Sequence, residues 1–180
     1  MDRLVLIPFG EIPMDLASLA RAVESELPVA ASIGMPETLP ERGYDDRRRQ
    51  HLTRPFLQAL RRRRTAAERA LGLTAADLYV PDLNFVFGEA DPALACAVVS
   101  VARLAVGLAE GVNDPRWFRR VVTEAVHELG HTYGLEHCAD PRCVMFFSNS
   151  LADTDRKSPR LCARCALRVH TTLRGGASRR

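Results

Sequence analysis

The chain has 180 residues, of which 47% are hydrophobic and 26% charged, and a formal net charge of +3. This composition is globular, the length suits one domain, and the charge is too small to indicate a nucleic-acid-binding protein. No run reaches the ~18 apolar residues of a membrane span, and no secretory signal pattern begins the chain. We therefore expect a cytoplasmic monomer with no nucleic-acid or membrane partner, in a reducing compartment where clustered cysteines more often bind metal than form disulfides.

The first half of the chain predicts strands alternating with helices. Strands are predicted at residues 3–8, 28–33, 77–80, 84–87 and 96–102, and helices at residues 15–27, 53–63 and 66–71, with Gly72 ending the last. Residues 34–46, which carry two prolines and two glycines, are predicted to form a loop. This β-α-β start followed by further strands indicates an α/β or α+β sheet domain.

A longer helix is predicted to begin at Pro115. Asp114 can cap it, and proline suits the first helical position because its missing N–H is not needed there. Apolar residues follow at helical spacing and form a wide buried stripe at Phe118, Val121, Val122, Ala125, Val126 and Leu129. The stripe would hold this helix rigidly against the sheet.

The same helix carries a metal-binding pattern, His127-Glu128-Leu129-Gly130-His131. Histidines four positions apart project from one helix face and can share one zinc, while Glu128 lies beside the metal as a base acting on its water. Gly134 can end the helix abruptly, so that the chain turns back and His137 supplies a third nitrogen. Three histidines leave one zinc position for water, which is the arrangement of a catalytic site.

Four cysteines predict a second metal site. Cys138, Cys143, Cys162 and Cys165 have a spacing close to that of zinc ribbons. Four thiolates make a closed shell, so this zinc would be structural and would contribute to folding. The alternatives are unpaired buried thiols, a disulfide, or a shell of three cysteines and His170.

His137 and Cys138 are adjacent, and neighbouring side chains in extended backbone point to opposite sides. One can therefore face the catalytic metal while the other faces the structural metal. We hypothesise that the two sites are mechanically coupled through this dipeptide.

The string HELGHTYGLEHC, with Cys143, Met145 and the later cysteine pair, resembles the archaemetzincins, a family of zinc metallopeptidases in the metzincin clan. The resemblance implies a compact metzincin-like domain with a twisted, mostly parallel sheet, a long active-site helix, and Met145 in a turn beneath the metal. It also implies a catalytic zinc on the three histidines, Glu128 as general base, and a second zinc on the four cysteines. Some other metzincins have a tyrosine two residues after that methionine, where this chain has Phe147.

One domain is expected over residues 1–180. Its parts are a sheet and helix portion (1–113), the active-site helix with the third ligand (114–137), the methionine turn and cysteine segment (138–170), and a frayed tail (171–180). Cys96 is expected to be buried, and His51 and His170 to lie on the surface.

The leading hypothesis for function is hydrolysis of a peptide bond in a peptide or protein that lies extended along an edge strand. The resemblance to the archaemetzincins implies that this edge lies at residues 84–87. The alternatives are a zinc-stabilised binding module, whose arginine runs would contact an acidic partner, and a zinc hydrolase of non-peptide amides.

Overall fold

The computed structural model describes residues 2–66 and 68–177. The strands are β1 (Asp2–Phe9), β2 (Val29–Ile33), β3 (Tyr44–Asp45), β4 (Gln50–Leu52), β5 (Glu68–Thr74), β6 (Leu78–Tyr79), β7 (Gly88–Asp91) and β8 (Cys96–Ser100). The helices are α1 (Leu16–Glu26), α2 (Thr53–Arg63), α3 (Pro115–Thr132), α4 (Leu151–Arg156) and α5 (Ala163–Ala177), with a 3-10 turn at Gly111–Asn113. Among these residues, no helix combines the length and apolar character needed to cross a membrane.

The main sheet has five strands in the order β2-β1-β5-β8-β7. All neighbours are parallel except β7, which runs antiparallel to β8 at the edge. Strand β8, an inner strand with the sequence CAVVS, is buried along its whole length, as expected for a strand covered on both faces. A small second sheet has the order β3-β4-β6. The predicted mixed α/β fold is confirmed.

Helices cover both faces of the main sheet. Because side chains alternate along β8, Ala97 and Val99 pack towards α1 and α3, while Cys96 and Val98 pack towards α2. The apolar stripe of α3 lies in the larger of these two cores, and Val121, Ala125 and Leu129 are fully buried there. The core therefore fixes the helix that carries the histidines.

The prediction of a helix at residues 66–71 is wrong, because β5 occupies Glu68–Thr74 at the centre of the sheet. The segment ERALGLT is rich in helix-forming residues, but burial between β1 and β8 outweighs that local preference. Gly72 does not end a helix. It lies where the ring of Phe9 and the side chain of Leu60 approach the strand, and a Cβ there would be 3.0 Å from each.

The strand predicted at residues 84–87 is also wrong. This segment is a loop with one bridge, from Val86 to Leu78, and the edge strand begins at Gly88. The backbone carbonyl of Asn84 accepts hydrogen bonds from Arg48 and Gln50, at 3.0 Å each. This carbonyl is therefore bonded to side chains and does not join a sheet.

The other predicted strands and helices are present within one or two residues of their expected ends, and Cys96 is buried as expected. The predicted loop at residues 34–46 contains the short strand β3. His170 is exposed, whereas His51 is half-buried between the rings of Tyr44 and Phe56. Helix α5 continues through Ala177, and the end of the predicted tail, residues 178–180, lies outside the described residues.

Candidate metal centre and active-site cleft

Local interactions set both ends of α3. The Asp114 side chain accepts a hydrogen bond from the backbone N–H of Arg116 at 2.9 Å, and Pro115 occupies the first turn, as predicted. At the other end, Gly134 has φ of +79°, a left-handed conformation that favours glycine. The chain turns there and returns towards the helix, which brings His137 to the two helical histidines.

The three histidines lie together. Their ligand atoms are all within 4.8 Å of one another, and Nε2 of His127 is 3.2 Å from Nε2 of His131. Two nitrogens bound tetrahedrally to one zinc at ~2.0–2.1 Å are about 3.3 Å apart, so this pair already has the required separation. The His137 ring lies 5.4 Å from that of His127 and 4.9 Å from that of His131, measured between centroids. The donor set and its spacing fit a zinc ion.

The inner nitrogens of the two helical histidines are bound to backbone carbonyls. Nδ1 of His127 lies 2.7 Å from the Val144 carbonyl oxygen, and Nδ1 of His131 lies 2.7 Å from that of Leu135. Each carbonyl requires a proton on Nδ1 and so leaves Nε2 unprotonated and free to bind a metal. Such partners orient the imidazole rings of metal sites and fix their tautomers.

Burial also keeps these imidazoles neutral. It lowers the pKa of His127 well below the usual range, and the neighbouring Lys157 acts in the same direction. Burial likewise lowers the pKa of His131 and His137. A histidine must be neutral to bind a metal, so the surroundings favour the binding form before any ion enters.

Glu128 lies beside the triad and is almost fully buried, with 6% of its surface exposed. Gly88 makes room for it, because a Cβ at that position would lie 2.7 Å from Glu128 Cγ and 2.7 Å from the Val98 carbonyl oxygen. Burial raises the pKa of Glu128 well above the usual range, and the carboxylate of Glu124 raises it further. A raised carboxyl pKa is typical of residues that accept and return a proton during catalysis.

Met145 packs directly against α3. A Cβ on Gly130 would lie only 2.3 Å from the sulfur of Met145. The glycine therefore permits close contact between the helix and residues 144–146, which we call the methionine segment. Two residues later, the ring of Phe147 lies 4.8 Å from that of His137. Phe147 contributes an apolar wall beside the third histidine and no hydroxyl.

The four predicted cysteines form a second cluster, with sulfur atoms within 4.8 Å of one another. Sγ of Cys138 and Cys162 are 3.9 Å apart, close to the about 3.8 Å between thiolates that share a tetrahedral zinc. No disulfide links them, and His170 is not part of this cluster in the described residues. Four sulfurs at this spacing fit a closed zinc shell.

Nearby donors favour thiolate at one of these cysteines. Burial of Cys138 acts to raise its pKa, but hydrogen bonds from the Asp140 backbone and the Arg164 guanidinium outweigh it and lower that pKa to about 7. Arg164 donates from Nη2 to Cys138 Sγ at 3.4 Å, and the backbone N–H of Cys162 donates to Cys143 Sγ at 3.3 Å. Such bonds orient the sulfurs and stabilise their negative charge.

A cleft of about 280 Å³ opens beside the histidines. Residues 83–88 form one wall, residues 147–149 form the other, and His127 and Glu128 lie at its base. Edge strand β7 begins at Gly88, next to Glu128. An extended chain lying along β7 would therefore pass the predicted base.

The structure brings every predicted metal ligand, together with Glu128 and Met145, into these two neighbouring sites. It also reveals Glu124, Lys157 and Gly88, which the sequence reasoning did not select. Glu124 could have been identified from the sequence, because it lies three residues before His127 and four before Glu128, which places it beside both of them on the helix. Lys157 and Gly88 are distant from the motif in sequence, and only the fold brings them to it.

Comparison with known proteins identifies relatives across nearly the whole chain. The family model described as "Peptidase family M54" matches residues 60–171. The archaemetzincin of Methanopyrus kandleri is 44% identical over 97% of this chain and 99% of its own length, and that of Pyrococcus furiosus is 39% identical over 97% and 96%.

Solved structures agree with these sequence relatives. The crystal structure of the M. kandleri archaemetzincin matches with a TM-score of 0.84 over 96% of each chain, at 44% identity. A zinc-dependent peptidase from Methanocorpusculum labreanum matches with a TM-score of 0.81 over 92% of this chain and 99% of its own, at 28% identity. The chain therefore belongs to the archaemetzincins, peptidase family M54, and is a zinc metallopeptidase.

Proposed function

We propose that His127, His131 and His137 hold a catalytic zinc and that Glu128 is the general base of peptide-bond hydrolysis. The observation that carries this proposal is the convergence of the helical histidines, with both Nδ1 atoms bound by carbonyls and the two Nε2 atoms 3.2 Å apart. Glu128 adjoins them at the base of the cleft. This chain therefore has a metal-binding face, a proton acceptor and access for substrate at one place.

The chemistry of the site divides between metal and protein. A bound zinc would supply a Lewis acid that polarises the scissile carbonyl and makes a water molecule more acidic. Glu128 takes the proton from the attacking water and delivers it to the leaving amine. Because burial raises the pKa of Glu128, its carboxylate is a stronger base than an exposed one.

We further propose that each chain binds two zinc ions, with the second on Cys138, Cys143, Cys162 and Cys165. The sulfur spacing supports this second site, and four thiolates leave no position for a substrate. Its role is therefore structural. Thiolate ligands favour zinc or iron, so metal analysis decides between them.

The substrate lies extended along β7 in this proposal, not along residues 84–87 as the sequence suggested. The outer edge of β7 is next to the cleft, and an added strand there would gain backbone hydrogen bonds. Ser148 contributes a buried hydroxyl oxygen that lines the cleft and has no hydrogen-bond partner among the described residues. It is available to a polar group of the substrate.

Two arginines from the runs on which the binding-module alternative depends are bound within this protein. Arg48 donates to the carbonyls of Leu83 and Asn84, at 2.6 and 3.0 Å, and Arg64 donates to the carbonyl of Leu94 at 2.8 Å. These side chains hold loops of this protein in place. A cytoplasmic, monomeric, single-domain enzyme that does not bind nucleic acid remains our prediction, and non-peptide amides remain alternative substrates.

The replacement of Glu128 by Gln tests the proposal. The amide keeps the size of the side chain but cannot accept the proton, so peptide cleavage should fall by about 10²–10⁴-fold while zinc content stays at the wild-type value. Cleavage of a peptide library and elemental analysis of both proteins provide the two measurements. Undiminished cleavage by the variant would overturn the assignment of Glu128.

A further inference from the structure

Lys157 lies directly beneath the histidine site and is fully buried, with 0% of its surface exposed. Its Nζ lies 3.2 Å from Glu124 Oε1 on α3 and 3.3 Å from the Phe146 carbonyl oxygen in the methionine segment. The same amine is 3.4 Å from Nδ1 of His127. Thr154 completes the arrangement by donating a hydrogen bond to Glu124 Oε1 at 3.0 Å.

These contacts connect α3 to the methionine segment, and both of these elements orient His127. His127 belongs to α3, and its Nδ1 is 2.7 Å from the carbonyl of Val144, two residues before Phe146. Lys157 bonds to α3 one turn before His127 and to the methionine segment just after Val144. Any shift of that segment relative to the helix would therefore strain both the lysine contacts and the histidine contact.

We propose that Lys157, with Glu124 as its partner, is a positioning residue that sets the orientation of His127 for metal binding. The inference rests on the proposed zinc site and concerns residues outside its ligand set. The amine fixes the distance between α3 and the methionine segment, and the Val144 carbonyl then fixes the ring of His127. Partners of this kind, which touch a ligand and not the metal, commonly change metal affinity by 10–100-fold when they are replaced.

A buried ion pair is weak evidence for a role in stability alone. Removing two charges from water is costly, and an apolar pair of similar volume is often as stable or more stable. Replacing both partners together should therefore preserve the fold, while replacing Lys157 alone would leave Glu124 as an uncompensated buried charge. A double variant can thus separate positioning from folding.

The chain supplies a matched control pair between α3 and α4, the helix that ends just before Lys157. Arg120 of α3 is buried and binds Asp155 of α4 through two hydrogen bonds of 2.7 Å. Its other bonds go to the carbonyls of Leu104 and Val106, and not to His127 or Phe146. Loss of this pair would loosen α4 without removing a contact to the histidine.

The test compares the double variant Lys157→Met/Glu124→Leu with the control Arg120→Met/Asp155→Leu. Each protein is prepared with zinc at the four cysteines and then titrated with Co²⁺, whose visible absorption reports the geometry at the histidines. The Lys157/Glu124 variant should remain folded, bind Co²⁺ about 10–100-fold more weakly and show a changed spectrum. The control should keep the wild-type affinity and spectrum.

Two results would overturn the positioning role. One is wild-type Co²⁺ affinity and spectrum in the Lys157/Glu124 variant, and the other is an equal loss in both variants, which would assign the effect to the docking of α4. If the double variant does not fold, Lys157→Met with Glu124→Gln takes its place, since the neutral amide still accepts the Thr154 hydrogen bond while the amine is removed, and wild-type affinity there has the same meaning. A wild-type protein that binds no Co²⁺ through its histidines would instead overturn the proposed metal site, and this inference with it.

Discussion

The approach of Gly88 to Glu128 shows how closely the base is confined. A Cβ at residue 88 would meet the Glu128 side chain on one side and the carbonyl oxygen of Val98 on the other, both at 2.7 Å. The carbonyl belongs to the inner strand β8 and cannot move without disturbing the sheet. Glu128 therefore has space because Gly88, at the start of β7, carries no side chain.

We predict that Gly88→Ala reduces peptide cleavage by about 10²-fold, because a displacement of about 1 Å at a catalytic group can have that effect. Zinc content should remain at the wild-type value, since the three atoms nearest to a Cβ at residue 88 belong to Glu128 and Val98 and not to a histidine. Steady-state cleavage and elemental analysis of the purified variant measure both effects. Normal cleavage by a correctly folded variant would show that Glu128 does not need this confinement.

Helix α3 is the element that sequence alone describes best. Asp114, Pro115, the apolar stripe and Gly134 all act locally, so the start, buried face and end of the helix could be predicted together with the histidine pair. The cysteine cluster was predictable because its spacing reflects the geometry of a tetrahedral ion.

Strand β5 shows where prediction from sequence fails. Its residues favour a helix locally, and only pairing with β1 and β8, which are distant in sequence, makes the segment a strand. Lys157 was missed for the same reason. Its partner Glu124 is 33 residues earlier in the chain, and no local pattern connects the two.

Helix α4 is held to α3 partly by charge, which gives stability a defined pH dependence. Hydrogen bonds from Arg120 to Asp155 lower the pKa of that carboxyl below its usual range. The unfolded chain therefore binds the proton more readily than the folded protein does. The contribution of this ion pair to the free energy of unfolding is fully present above about pH 4. It is lost as the pH falls through the folded-state pKa of Asp155.

We predict that Asp155→Asn lowers the free energy of unfolding by about 1 kcal/mol or less at pH 7, because the carboxylate is partly exposed and screened by water. The difference from wild type should shrink as the pH falls below about 4. Urea unfolding of both proteins across this range measures it, with the exposed Asp46→Asn as the control. A difference that grows as the pH falls would show that the Asp155 carboxylate does not stabilise the folded protein in this way.

At the scale of the whole molecule, the two metal sites share one stretch of backbone. His137 belongs to the histidine group and Cys138 to the cysteine group, and the backbone N–H of Cys138 donates to the carbonyl of Met145 at 2.8 Å. The structural metal would thus anchor the segment that presents the third histidine.

We predict that Cys162→Ser together with Cys165→Ser abolishes the structural site and also lowers zinc occupancy at the histidines. Elemental analysis and thermal unfolding of the variant measure the two effects. Cys96→Ser is the matched control, because Cys96 is a buried thiol on the opposite face of the sheet and should leave both zinc ions in place. Unchanged two-site metal content in the double variant would show that the sites are independent.

The most direct test of the account is a crystal structure of the zinc-loaded protein with anomalous scattering measured at the zinc edge. The account predicts two peaks for each chain. One lies ~2.0–2.1 Å from the Nε2 atoms of His127 and His131 and from a ring nitrogen of His137, and its fourth ligand is not a protein side chain. The other lies ~2.3 Å from the four cysteine sulfurs. No peak at the histidines, or a side chain of this chain in the fourth position, would contradict it.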